Sequence, residues 1–158
     1  MSFSLTRKTD YALVALAALA QQEGGHDNPL SAREIAERHQ LPAPLLMNIL
    51  KDLHRAEIVC SRRGAGGGYI LCKDPAEIAL LQIIEAIEGP VSVAVCCDDA
   101  EPEPCSACVS EPACPIASPM QRFNELTHKF LQHVKLIDLI GDQPTLIQVP
   151  LTRTGMNT

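Results

Sequence analysis

Apolar residues set a helical rhythm at the start of the chain. Leu5, Leu13, Leu16 and Ala20 share one face of a stretch that predicts a helix over residues 4–21, ended by Gly24 and Gly25. Ser31 and Glu34 stand at the spacing of a capping box, which opens a short helix from Ala32 to Arg38. After the turn His39-Gln40-Leu41, Pro42 or Pro44 can occupy the first turn of a third helix. Its buried stripe is Leu46, Ile49, Leu50 and Leu53, running to about Ala56. Two short helices around a brief turn predict a helix-turn-helix, and the two β-prone runs between Ile58 and Cys72, joined by glycines, predict a hairpin behind it. A hairpin in that place is a wing. Asp74, Pro75 and Glu77 carry the start signals of a fourth helix, which includes Ile83, Ile84 and Ile87 and stops at Gly89-Pro90.

The cysteine-rich stretch that follows contains Pro102, Pro104, Pro112 and Pro115, which excludes regular helix or strand. From about Pro119 a last long helix carries Phe123, Leu126, Phe130, Val134 and Ile137 at spacings of 3, 4, 4 and 3. This seam can pack on its own domain. With two Phe beyond an already complete winged core, it is expected to join two copies of the chain instead, through Phe123, Leu126, Phe130 and Val134. The expected fold class is mainly α with a small β-hairpin. A winged helix-turn-helix spans 1–90, a metal-binding loop 91–118 and a dimerisation helix 119–141, and the unpatterned tail 142–158 is expected to be disordered.

At 158 residues and 46% hydrophobic composition the chain can bury one real core, filled by aliphatic side chains because Trp is absent. The aromatics are Phe3, Tyr11, Tyr69, Phe123 and Phe130, too few for a single-strand stacking platform. The net charge of −6 argues against nucleic acid only until it is divided. Residues 1–75 carry 9 Lys and Arg against 8 Asp and Glu, whereas residues 76–158 carry 4 against 11. The positive surface is therefore sought in the first half. Lys51, Arg55, Arg62 and Arg63, with Arg7 and Lys8 on the first helix, can neutralise phosphates. Arg63, ahead of the glycine run that includes Gly66, is placed to enter a narrow minor groove. The run is no nucleotide loop, because Tyr69 stands where a dinucleotide fingerprint needs glycine and no Walker lysine follows.

Five of the seven cysteines, Cys96, Cys97, Cys105, Cys108 and Cys114, fall within 19 residues. That is not the pattern of a secreted disulfide framework. Cys60 and Cys72 stand alone in the wing strands and are expected to be buried as small hydrophobes. Arg7 and Lys8 before the apolar run Tyr11–Ala20 resemble a secretory leader, but Asp10 interrupts the entry to the run, and the helical spacing of Leu5, Leu13, Leu16 and Ala20 suits a core helix. The expectation is a cytoplasmic protein with reduced thiols and no membrane span. Cys97, Cys105, Cys108 and Cys114 are separated by seven, two and five residues, a spacing that can converge on a soft metal. Cys105 and Cys108 form one CxxC knuckle where structural zinc usually has two, and a redox CxxC would open a helix rather than sit among prolines. Spacing alone leaves zinc and an iron–sulfur cluster both open. Cys96 and Cys97, being adjacent, are not expected to ligate together.

Several segments, in order, resemble the Rrf-type regulators, the family of IscR and NsrR. They are Leu-Thr-Arg-Lys-Thr-Asp-Tyr-Ala at 5–12, Arg-Gly-Ala-Gly-Gly-Gly-Tyr at 63–69, Ile-Glu-Ala-Ile-Glu-Gly-Pro at 84–90, the cysteine loop and the closing helix. The Glu-Gly-Pro segment followed by Cys is most similar to the branch that regulates SUF-type iron–sulfur assembly operons. The resemblance implies an iron–sulfur cluster, 2Fe-2S ahead of 4Fe-4S, held by Cys97 or Cys96, Cys108 and Cys114, with Cys105 an extra thiol. Ala117 occupies the position of a family histidine, and Asp10 matches a carboxylate ligand that the nitric-oxide-sensing branch takes from the first helix of the other subunit. The family's base-reading positions fall on Pro44, Leu45, Met47 and Asn48, of which only Asn48 keeps an amide for adenine. The implied protein is a homodimeric regulator of a palindromic duplex operator that senses cluster, redox or nitric-oxide status, with no small-molecule substrate and no enzymatic activity. The competing readings are a zinc-stabilised or cluster-free winged-helix repressor and a CxxC thiol redox protein.

Overall fold

The computed structural model describes residues 5–22, 28–64, 66–94 and 114–140. Its elements are α1 (Arg7–Ala20), α2 (Ala32–His39), α3 (Ala43–Arg55), β1 (Val59–Arg62), β2 (Gly68–Leu71), α4 (Leu80–Glu88), α5 (Ala117–His133) and α6 (Leu136–Ile140). Among the described residues no helix is long and apolar enough to cross a membrane.

The helix-turn-helix forms where the pattern puts it. Ser31 Oγ accepts from Glu34 N–H at 3.1 Å while Glu34 Oε2 accepts from Ser31 N–H at 2.8 Å, so two otherwise unpaired amides at the head of α2 are satisfied. Gln40 ends that helix in a left-handed conformation, φ 53°, and Leu41 N–H reaches back to the Ala36 carbonyl at 2.9 Å. Pro44 sits in the first turn of α3, where no amide donor is required. Leu46, Ile49, Leu50 and Leu53 turn inward against Ala12, Ala15, Leu16 and Leu19 of α1 and Ile35 of α2. The alanines on α1 shorten the approach between helices, leaving the bulk to Leu and Ile.

The hairpin pairs Val59 with Leu71 and Arg62 with Gly68. Leu30 adds a short third rung through two bonds to Tyr69, at 3.0 and 2.8 Å. This close approach explains Gly68, since a Cβ there would stand 2.4 Å from the Leu30 carbonyl oxygen.

Two expected helices are redrawn by one pairing. Asp74, Pro75 and Glu77 do not open a helix; Asp74 closes a turn by accepting from Ala76 N–H at 2.8 Å, and α4 begins only at Leu80. The long closing helix stops at His133 and resumes as α6. Between these points Ile78–Leu80 and Val134–Leu136 run antiparallel, with Leu80 N–H on the Val134 carbonyl and Leu136 N–H on the Ile78 carbonyl, both at 2.9 Å. Ile78, Val134 and Leu136 are all buried. Their extended backbone inserts these side chains into the core, which outweighs the hydrogen bonds of an uninterrupted helix.

Glu88, at the end of α4, binds the head of α1: its carboxylate accepts from Thr6 N–H at 3.0 Å and from the hydroxyl of Thr9, a fully buried side chain. Partial burial would push the Glu88 carboxyl up, but the bonds from Thr9 and Thr6 outweigh it and hold it below its ordinary value. A depressed carboxylate adds stability that is complete above its unfolded value, about 4.3, and is lost as pH falls through the folded one. Glu88→Gln keeps an acceptor but does not titrate. Urea denaturation should find it less stable than the parent by at most about 1 kcal/mol at pH 7, given its solvent screening, with the difference shrinking as pH falls through the folded value of Glu88.

Candidate nucleic-acid interface and cysteine loop

The outward face of α3 follows from its inward one. With Leu46, Ile49, Leu50 and Leu53 buried, the exposed positions are Ala43, Pro44, Met47, Asn48, Lys51, His54 and Arg55. Leu45 departs from the expectation for a base-reading position, because it is half-buried and packs on the core. Arg55 is exposed but shares its charge with Asp52 on the previous turn, Nη1 to Oδ1 2.9 Å. Asn48 and Lys51 are thus the polar groups most openly presented by this helix.

Arg62, Arg63 and Gly66 lie exposed on the hairpin, whose tip is closed by Gly67 N–H on the Gly64 carbonyl at 3.0 Å. Arg7 and Lys8 are exposed in the first turn of α1. Lys73, exposed immediately after β2, and His54 were not singled out from the sequence. His54 Nδ1 donates to the Val59 carbonyl at 2.9 Å and so joins the end of the exposed helix to the root of the wing. No periodic signal marks such a contact.

Cys60 and Cys72 are not the buried, separate thiols expected. Both are half-buried, and they are joined by a disulfide with Cα atoms 5.2 Å apart. The register explains it: Val59 pairs with Leu71 facing the core, so Cys60 and Cys72 are diagonal neighbours on the opposite face. The strands were legible in the sequence, but their register was not.

Of the candidate metal ligands, Asp10 and Cys114 are described. Asp10 is exposed in the first turn of α1, and no described side chain bonds to it. Cys114 is a half-buried free thiol whose carbonyl accepts from Ala117 N–H at 3.3 Å at the head of α5. Cys96, Cys97, Cys105 and Cys108 lie outside the described residues. The segment entering the loop is held by the same helix. His128 Nε2 donates to the Val91 carbonyl at 2.5 Å, and Val93 N–H donates to Asn124 Oδ1 at 3.1 Å. Both described ends of the cysteine segment therefore rest on α5.

On α5, Phe123, Leu126 and Phe130 are 53%, 48% and 38% exposed, an unpartnered apolar stripe. Val134, expected to extend it, is only 2% exposed, because the helix has ended and its side chain enters the chain's own core.

The model of the Rrf2 family, described as an iron-dependent transcriptional regulator, matches residues 5–142. A putative rrf2-like helix-turn-helix transcriptional regulator of Rhodobacter capsulatus is 40% identical over 114 residues, covering 71% of this chain and 75% of its own. The regulator IscR of Serratia proteamaculans is 30% identical over 145 residues, 90% of this chain and 82% of its own. The solved structure of CymR, the global cysteine regulator of Bacillus subtilis, superimposes with a TM-score of 0.64 at 28% identity, covering 88% of this chain and 97% of that one.

Proposed function

The chain belongs to the Rrf2 family and is a DNA-binding transcriptional regulator rather than an enzyme, and from that premise we propose that it acts as a homodimer whose grip on DNA depends on an iron–sulfur cluster in the cysteine loop. The observation that carries this reading is Cys114, a free thiol at the head of the helix that also pins Val91 and Val93 at the other end of the loop. The ligands are Cys97 or Cys96, Cys108 and Cys114, with Cys105 in reserve and Asp10 of the partner subunit completing the set. Thiolates with one carboxylate suit iron, and a free Cys114 and an exposed, unbonded Asp10 meet that requirement. A bound cluster supplies a centre sensitive to oxidation, nitric oxide and iron supply. The 2Fe-2S form is preferred, and by resemblance the regulated genes are those of iron–sulfur assembly.

The residues of the chain do the rest. Phe123, Leu126 and Phe130 bury their exposed faces against the same stripe of a second copy, related by a two-fold axis that matches a palindromic operator. In each half, Asn48 reads a base edge in the major groove, and Lys51, Arg62, Arg63, Arg7 and Lys8 meet phosphates or the minor groove. Glu88 bonds Thr6 and Thr9, so any shift in the segment between α4 and α5 is delivered to the helix that carries Asp10. Such a protein works in the cytoplasm, beside its operators. A second reading, a cluster-free or zinc-stabilised repressor, is favoured by the likeness to a cysteine regulator.

Anaerobically purified protein is expected to absorb in the visible with iron and sulfide bound, and Cys114→Ser to lose that absorption while remaining folded. Colourless protein with one zinc per chain decides for the second reading. By fluorescence anisotropy, Lys51→Ala should weaken binding to every duplex and lower the slope of log affinity against log salt by about 1. Asn48→Ala should cost about 1–3 kcal/mol on the preferred operator alone.

A further inference from the structure

The Cys60–Cys72 pair uses none of the loop cysteines and lies inside the DNA-reading unit. We propose that it is a reversible thiol–disulfide modification site, a second redox input that acts on the wing directly. Three observations support this. First, the β-register alone brings the two side chains together, with Cα atoms 5.2 Å apart, within the range of an unstrained bridge. Cys72 N–H is bonded to the Ile58 carbonyl at 3.0 Å, so backbone pairing, and not the sulfur bond, holds the strands in place. The pair can open and close without moving them.

Second, both cysteines are half-buried and line a shallow recess with His54, Arg55, Glu57 and Lys73. A small thiol or disulfide reaches the sulfurs there. Arg55 is bonded to Asp52 and Lys73 stands against Glu57, so the charges around the recess nearly cancel and access, rather than a local field, makes the sulfurs available. Third, the position has leverage. Cys60 follows α3 after the left-handed Glu57, φ 56°, and Cys72 closes β2, so the bond ties the root of the wing into a ring that contains Arg62, Arg63 and Gly66.

The chemistry balances with a low-molecular-weight disulfide as oxidant. One wing thiolate attacks it, forming a mixed disulfide and releasing one thiol. The second wing thiolate then displaces the other half, leaving Cys60–Cys72 joined. Two protons and two electrons leave the protein, and two small thiols are formed. A dithiol reductant runs the same steps backwards. In a reducing compartment the pair rests as two thiols, and the bond reports a shift toward oxidation. The closed ring presents the wing arginines with less freedom to lose on binding, so the oxidised form binds operator about three- to tenfold tighter.

The test uses the full chain, purified without oxygen and equilibrated in reduced and oxidised glutathione mixtures. Free thiols are alkylated and mapped by mass spectrometry, and operator affinity is measured on the same samples. The expected result is loss of alkylation at Cys60 and Cys72 together as the mixture becomes oxidising, with the affinity rising in parallel. The Cys60→Ser, Cys72→Ser double variant should bind as the reduced parent does and keep its visible absorption. Wing thiols that stay alkylatable throughout overturn the proposal, as does an affinity that does not change when they close. A double variant that keeps the full response also overturns it, and assigns the response to the loop. Loss of colour in Cys114→Ser bears on the cluster alone, so the two readings fail separately.

Discussion

Two backbone hydrogen bonds, Leu80 N–H to the Val134 carbonyl and Leu136 N–H to the Ile78 carbonyl, decide where α5 ends and α6 begins. Without them α5 would run on as one rod, and α4 would start a turn earlier. With them, Ile78 and Leu136 enter the core shared by the helix-turn-helix, Val134 is buried beside them, and α6 packs against α1, where Gln21 Nε2 reaches the Ile140 carbonyl at 3.1 Å. Each buried aliphatic side chain contributes about 1.5–3 kcal/mol, more than the propensity lost by interrupting a helix at one or two residues. The long helix is thus fixed at its C-terminal end to the DNA-reading core, and at its other end it meets the cysteine segment.

That arrangement gives the loop a mechanical address. Val91 and Val93 are bonded to His128 and Asn124 of α5, a few residues after Glu88 has bonded Thr6 and Thr9 of α1. The described route from Val93 to the first helix therefore includes short polar contacts as well as the packing of α4 on α1. Thr9 is the one polar side chain buried among the described residues, and its only acceptor is Glu88. A shift of α4 that broke this bond would strand a hydroxyl in the core at a cost of about 1–3 kcal/mol, which couples the two helices.

What the sequence made legible was periodic or local. The α3 stripe, the capping box of α2, the Pro in the first turn of α3 and the glycine-linked hairpin each rest on residues a few positions apart, where hydrophobic spacing and capping chemistry are enough. What it concealed was set by partners distant in the chain. Pro75 and Glu77 are sound start signals, yet Ile78 is drawn into a pairing with residues nearly 60 positions later. Val134 fits the heptad-like seam of Phe123, Leu126 and Phe130, yet ends up inside. Leu45 keeps a family reading position and faces the core. Cys60 and Cys72 depended on a strand register that a one-residue slip would have reversed. On the candidate interface, residue type and exposure agreed for Asn48, Lys51 and Arg63, because surface positions of a helix follow once its buried stripe is known.

The two sets of cysteines also differ in what assembles them. In the wing, backbone pairing brings Cys60 and Cys72 together whatever the sulfurs do, so their chemistry is set by the thiol–disulfide poise of the surroundings. By sequence, the loop cysteines are interspersed with Pro102, Pro104, Pro112 and Pro115, residues that favour neither helix nor strand, so no strand register is expected to gather them. Donors not assembled by secondary structure are gathered by the group they bind, and binding free energy then becomes ordering free energy, responsive to supply as well as to oxidation. On the proposed reading, the wing pair would measure redox poise and the loop thiols the availability of their ligand. On that reading both inputs would converge on the same small unit, the wing through Arg62 and Arg63 and the loop through the bonds of Glu88 to α1. An acidic chain can still bind DNA through that unit, because its surplus of carboxylates lies in the half that carries the loop and not in the half that carries the exposed arginines of the hairpin.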